Sequence, residues 1–463
     1  MRPIHLALLT LIGMYTATTM IGAALFTTEF GRHQLQTFMG ADVPFGSMTT
    51  LGSPLYWTLL LSLAVIAPIV ALLTERAVGR FFTERTAIDV PTWVAVVISA
   101  FLVAWCVYKL AAAGALSAQE LWDRSVAFSQ RMERRVELIR LLGNQYYAFA
   151  YSSLPILASF LLAKAVLQRD RVAFAAFCIL SAILLWLDLA IIMKAPIIIY
   201  IGLIALTLIL CRCGAIRSLA ATVPIAVVLY FSLTLLQFSD LQLDRWPGET
   251  KAATWSNATM PPGAMMPMAP SGAIAPIAPS WDAPKPTTLS VIENRVLYLL
   301  RSATFRMASS FPYYVQTFAE PDQRCGLEIP KLSLACFAPT KVFRLMYPKI
   351  NYVTGFAPAP ANVSAYAELG ITYTFVATAI CGGIIGLLAF FARGRDPLSI
   401  SIGAATCIYA YYVSQVSLTG SLLDAYGLFY LLLPVAAMMA VRWLLRPHVK
   451  NTDRADRMHE PAR

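Results

Sequence analysis

Apolar residues in this chain gather in runs too long for the helices of a soluble domain, and polar residues collect in the gaps. Ten runs stand out, at about 4–27, 53–74, 91–115, 146–167, 172–193, 195–211, 216–237, 367–392, 397–418 and 420–445. A hydrocarbon core about 30 Å thick needs roughly 20 apolar residues per helix. The pattern therefore predicts an all-α polytopic membrane protein with about ten transmembrane helices. One gap is unlike the rest. Residues 238–366 form a large loop, which separates a first membrane part (1–237, spans 1–7) from a second (367–445, spans 8–10) and a basic tail (446–463).

Composition agrees with this reading. Of 463 residues, 58% are hydrophobic and 13% charged, where soluble domains carry about a quarter charged residues. A net charge of +11 suggests nucleic acid in a soluble protein, but here the position of the charges argues against it. With the N-terminus inside, the inner connections hold Arg76, Arg80 and Arg85, then Lys164, Arg169 and Arg171, then Arg212 and Arg217, then Arg393 and Arg395. The tail adds Arg446, Lys450, Arg454 and Arg457. This is the positive-inside pattern, and it predicts cytoplasmic termini. Segments 28–52 and 116–145, the turn near Lys194, the large loop and the turn near Thr419 then face outward. The first run reads as an anchor rather than a cleaved signal.

Six of the eight cysteines lie in spans or at the inner face. Cys325 and Cys336 lie in the large loop. They can close a small disulfide in an oxidising compartment or remain free thiols.

The loop has three parts. Residues 247–288, rich in Pro, Ala and Met, predict a disordered or extended insert. Its Met260, Met265, Met266 and Met268 lack any His or Cys to support a copper site, so no metal is expected. Residues 289–310 read as an amphipathic helix, with Arg295, Leu299, Ser302 and Arg306 near one stripe and Arg301 a third of a turn away. Residues 340–370 read as a structured loop leading into the eighth span.

Basic residues on the outer side run against the positive-inside bias. Arg295, Arg301, Arg306, Arg324, Lys341, Arg344 and Lys349 are therefore candidates to bind phosphate, which guanidinium groups grip through paired donors. Balancing Glu293, Glu320, Asp322 and Glu328, or contacting anionic lipid, is the plainer role. Lys194, between two apolar runs, serves a cavity or snorkels to the interface. Segment 116–145 predicts a second amphipathic helix, in which Arg131, Arg134, Arg135 and Arg140 interleave with Glu133 and Glu137. Salt pairing is its simplest reading, with Arg124 or Arg140 able to border an acceptor groove. Asp188 lies too far round from Lys194 for a tight same-face pair. Among possible bases, His33 is the outward histidine, Glu368 is the most suggestive carboxylate, and Asp424 is weaker. The chain has no Walker A, GxGxxG, HExxH or G-x-S-x-G motif, so ATP hydrolysis, nicotinamide chemistry and zinc proteolysis lose support.

The single large outer loop, the basic residue in MKAP, the loop arginines and the stretch FAPAPANVSAYAELGITYTFVATAICGGIIGLL together resemble Wzy-type O-antigen and exopolysaccharide polymerases. These share a GT-C-like layout with the O-antigen ligases. The resemblance implies repeat-unit transfer from a polyprenyl-pyrophosphate-linked oligosaccharide to a second lipid-linked unit, at the periplasmic face of a bacterial inner membrane. It implies no cofactor, and a chain-length regulator protein as a partner. By place, Lys194, Arg295, Arg301, Arg306 and Arg140 would bind substrate and Glu368 would act as the base. Lysine lacks the bidentate fork of arginine, and the loop histidine of the ligases has no counterpart, which favours polymerase. A transporter or flippase, a monophosphate-polyprenol glycosyltransferase and an assembly scaffold are the rival readings. The chain shows no internal repeat of the kind transporters carry.

Overall fold

The computed structural model describes residues 2–32, 48–82, 89–116, 128–191, 193–238, 307–327, 336–347 and 356–445. Among these the fold is all-helical, without strands. The first helix runs as α1 (Pro3–Tyr15), a π turn (Thr16–Met20) and α2 (Ile21–Phe26). Next come α3 (Pro54–Phe81), α4 (Thr92–Ala112) and α5 (Phe128–Ala148). A second π turn (Phe149–Ser153) joins α5 to α6 (Leu154–Gln168), followed by α7 (Arg171–Ala190), α8 (Lys194–Leu210) and α9 (Ala215–Phe238). Beyond the long connection lie α10 (Phe311–Thr317), α11 (Ala338–Met346), α12 (Ala361–Leu369), α13 (Ile371–Phe391), α14 (Pro397–Val413), α15 (Leu418–Leu423) and α16 (Leu428–Leu445).

Among the described residues, seven helical stretches are long and apolar enough to cross a membrane: Pro3–Phe26, Pro54–Phe81, Thr92–Ala112, Arg134–Gln168, Arg171–Ala190, Ile371–Phe391 and Leu418–Leu444. Three shorter apolar helices, Lys194–Leu210, Ala215–Tyr230 and Pro397–Val413, pack among them. The protein is thus a helical membrane protein. Its periphery shows why. On α3 the residues Trp57, Leu61, Val65, Ile69 and Leu73 recur every fourth position and are all exposed. Such a stripe would be costly in water and belongs against lipid. The two interior helices, α6 and α14, are buried nearly end to end.

The eighth apolar run departs from expectation. The chain breaks at Gly370 (φ 89°, ψ −166°), so 361–369 forms the separate short helix α12, buried along its length, ahead of α13. The sequence boundary at 366/367 falls inside α12. The large loop is not uniformly polar either. Phe311, Tyr313, Tyr314 and Phe318 pack with Phe26, Tyr56 and Leu59 in a second apolar core over the ends of α2 and α3. Tyr56 meets Phe311 edge-on at 4.8 Å. The insert 247–288 and residues 289–306 of the expected amphipathic helix lie outside the described residues; 307–310 form a turn.

Helices α3 and α13 pack backbone to backbone. A Cβ added to Gly382 would lie 2.4 Å from the Ala67 carbonyl oxygen, and one on Gly386 would lie 2.3 Å from that of Ala71. Small residues four apart let helix backbones meet where lipid gives no hydrophobic drive for association. Gly386→Leu should therefore lower the stability of the detergent-solubilised protein by about 1–3 kcal/mol, seen as a lower unfolding temperature. Gly13→Ala, which meets no atom within 4 Å, should leave it unchanged.

Candidate functional site

The turn between α7 and α8 lies at the end of the bundle where α9 finishes, Lys194 standing against Tyr230; this is here termed the loop end. At the opposite end Arg393 pairs with Glu75 at 2.9 Å and Lys164 lies 3.4 Å from Asp89.

Arg135 is brought to the loop end by helical phase. Arg135, Leu138 and Leu142 recur at spacings of three and four, one face of a helix, and the last two are buried. Arg135 is carried inward with them. Its Nη2 donates to Met193 Sδ at 3.1 Å, and its buried Nε has no hydrogen-bond partner among the described residues. Arg134, one position round, donates to Glu137 at 2.6 Å. The salt-paired surface helix expected from sequence is therefore half right. Arg140, expected to border a groove, is exposed on another face.

Lys194 opens α8 directly after Met193, with Nζ 6.0 Å from the centre of the Tyr230 ring. It feels the charge of Arg135. Two cations held within electrostatic reach repel, and no described carboxylate pairs with Arg135. An anion between them would reverse that cost.

Beside the pair is a tyrosine cluster. Gly143 (φ 69°) breaks α5, and the chain then supplies Tyr146, Tyr147 and, in the π turn, Tyr151. Ser152 and Ser153 tie this turn to the end of the chain, donating to the carbonyls of Ala425 (3.0 Å) and Tyr430 (2.8 Å). π turns often mark functional positions. Tyr151 stacks on Tyr426 at 5.8 Å and contacts Tyr147 at 5.5 Å; Tyr426 in turn contacts Tyr412 at 5.8 Å. Under them lies buried Asp188, which sequence reasoning set aside.

Glu368 occupies a second polar centre. It is 2% exposed at the end of α12. The segment Arg324–Gly326 runs along that helix end: Cys325 N–H donates to the Ala367 carbonyl and Gly326 N–H to that of Glu368, each at 3.0 Å. These bonds satisfy carbonyls that a helix C-terminus leaves open. Cys325 is disulfide-bonded to Cys336, their Cα atoms 4.8 Å apart, which staples the segment to the start of α11. The Arg324 guanidinium lies against Gly370. Burial pushes the Tyr366 phenol up, and that guanidinium opposes the shift. Lys341 is engaged locally, donating to the Gln323 carbonyl at 2.9 Å. Arg344 is exposed.

The structure thus brings Lys194 together with Arg135, and Glu368 with Arg324. Arg295, Arg301, Arg306, Lys349 and His33 lie outside the described residues. The inward phase of Arg135 was the available signal for the first centre. Nothing local marked Tyr426 as a neighbour of Tyr151. Among the described residues no group of three or more His, Cys, Asp or Glu side chains could hold a metal ion. Compared with protein-family models, curated proteins and solved structures, the chain matches none.

Gly370 has positive φ, and an added Cβ would lie 2.6 Å from Arg324 Cζ. Gly370→Ala should displace the segment that holds the end of α12. The expected result is a lower unfolding temperature and faster reduction of the Cys325–Cys336 disulfide, measured by thiol labelling under a mild reductant.

Proposed function

We propose that this protein polymerises polyprenyl-pyrophosphate-linked oligosaccharide repeat units into surface polysaccharide, by glycosyl transfer at the outer face of a bacterial inner membrane. The observation that carries the reading is the convergence of Arg135 and Lys194 at the loop end, beside a tyrosine cluster. The departure of a diphosphate as a leaving group is eased by cations already in place. Aromatic side chains with a few fixed polar groups are a common lining for organic ligands. Binding two lipid-linked units side by side supplies the orientation that transfer needs.

In this reading the chain crosses the membrane about ten times, the three shorter apolar helices included, and both termini are cytoplasmic. Support comes from the end opposite the loop end, where the connections hold Arg80, Arg169, Arg171, Arg212, Arg393 and Arg395, the side the positive-inside rule assigns to the cytoplasm. The loop arginines Arg295, Arg301 and Arg306 and the exposed Arg140 belong to the same proposal as further contacts for the lipid-linked substrates. Glu368 and Asp188 are two carboxylates able to take the proton of the attacking hydroxyl.

A transporter of lipid-linked units is the second reading. The break at Gly370, the π turns and buried Asp188 favour it, since transporters use interrupted helices and intramembrane charges. Polysaccharide profiling of a deletion strain separates the two. Single repeat units on the lipid core indicate lost polymerisation, full-length chains without the core indicate a ligase, and intermediates retained on the cytoplasmic side indicate a transporter.

Arg135→Ala and Lys194→Ala should each shorten or abolish the polysaccharide ladder in a complemented strain while the protein stays in the membrane. Lys194→Arg should keep long chains, because a guanidinium retains the charge and adds a bidentate fork. A wild-type ladder from the Arg135→Ala, Lys194→Ala double variant would refute the assignment. Arg295→Ala and Arg306→Ala, assayed on the same gels, should also lose long chains.

A further inference from the structure

Asp188 sits in the last turn of α7 and is 3% exposed. Its Oδ1 has no hydrogen-bond partner among the described residues, and neither has the Tyr151 hydroxyl. The two side chains line one cavity, walled mainly by Pro155, Leu184, Pro196, Leu203 and Ile408. The cavity has room for about one water molecule. A sugar ring or an organic cation does not fit.

The titratable groups around Asp188 come from several elements. They are Tyr146 of α5 with Cys106 of α4 behind it, Tyr151 of the π turn, Tyr200 of α8 and Tyr426 between α15 and α16. Tyr147 stands behind Tyr151. From α14 and α16 come Ile408 and Leu431. No lysine or arginine is among them. Two of the phenols are engaged: Tyr146 donates to the Leu187 carbonyl at 3.2 Å, and Tyr200 bonds Ser181 Oγ at 2.6 Å. Tyr151 is not, and it also lies within the field of Arg135.

An ionised carboxylate between apolar walls is costly unless positive charge is supplied. Hard metal cations take about six or more oxygen ligands, whereas the cavity offers the unengaged oxygens of Asp188 and Tyr151. A proton needs one acceptor. We propose that Asp188 and Tyr151 form a proton-exchange site, in which Asp188 binds and releases the proton and Tyr151 relays it to the Arg135–Lys194 rim.

The role of this site rests on the glycosyl-transfer reading. As the acceptor oxygen bonds the anomeric carbon, the bond from that carbon to the diphosphate oxygen breaks and its electron pair leaves on the diphosphate. The acceptor proton passes to the Tyr151 hydroxyl, which gives its own proton to Asp188 through one water molecule, for which the cavity lined by both side chains has room. Tyr151 couples to both Arg135 and Asp188, which selects Asp188 over Glu368 as the final acceptor.

The test is pH-difference infrared spectroscopy of the full-length protein in lipid. The expected result is a carboxyl carbonyl band that titrates, is absent from Asp188→Asn, moves in Asp188→Glu and Tyr151→Phe, and persists in Glu368→Gln. Spectra unchanged by Asp188→Asn would overturn the site. So would a band that responds to exchanging sodium for potassium rather than to pH. For the role, Asp188→Asn should lower polymer formation about 100-fold or more while still binding polyprenyl diphosphate. Wild-type polymer from a folded Asp188→Asn protein would remove Asp188 from the transfer and leave the Arg135–Lys194 assignment standing. Loss of the infrared band with Arg135→Ala still making long chains would do the reverse.

Discussion

Gly382 and Gly386 press against the backbone of Ala67 and Ala71, and that contact between α13 and α3 sets the position of much else. Any larger side chain at the contact would push the helices apart. Because α13 is held there, its start at Gly370 is held too, and α12 is placed across the loop-end half of the bundle. Asn362 fixes the other end of α12, donating to the Leu59 carbonyl at 2.7 Å, to Ser62 Oγ at 3.1 Å and to the Tyr15 hydroxyl at 3.1 Å. Thr374 closes the unit by donating to the Asn362 carbonyl at 3.2 Å. These bonds join α1, α3, α12 and α13, the frame on which Glu368 and Arg324 stand.

Lipid permits irregular backbone only where protein satisfies its polar groups. The interruptions in this fold obey that limit. The first π turn offers the Thr18 carbonyl to Ala308 N–H at 3.1 Å, and Gln415 reaches Thr18 Oγ1 at 3.1 Å. In the second, Ser152 and Ser153 reach carbonyls near the end of the chain. The segment Arg324–Gly326 does the same for the end of α12. Each irregular turn is thus bound to an element remote in sequence, and each lies toward the loop end, where the proposed chemistry is.

The two ends of the bundle differ in their electrostatics. Opposite the loop end two buried charges are compensated: Glu75 meets Arg393, and Lys164 meets Asp89 and the Val90 carbonyl. There the Thr92 hydroxyl and the first amides of α7 hold the Asp170 carboxyl below the usual carboxylate range. At the loop end Arg135 has a sulfur contact and a neighbouring cation instead of a carboxylate. Structural ion pairs neutralise themselves, whereas a site for an anionic substrate retains its positive charge for the ligand. The proposed substrate site rests on that contrast between these buried pairs and Arg135.

The apolar runs already marked where apolar helices lie, seven of them long enough to cross a membrane among the described residues, because transfer into lipid depends on the local density of apolar side chains and not on neighbours. The standing of Lys194 as a charge between two apolar runs is local in the same way. What sequence alone left open was every question about which faces meet. Arg134 and Arg135 are adjacent and chemically identical, yet one pairs on the surface and the other turns inward, because Arg135 stands closer in helical phase to buried Leu142. Gly370 reads as one more residue of an apolar run until Arg324, from the far side of the loop, lies across it. Asp188 is unremarkable until Tyr151 and Tyr426 close over it. Run length is a property of consecutive residues, but a polar site inside a membrane is made where distant helices converge, and only packing decides which of them do.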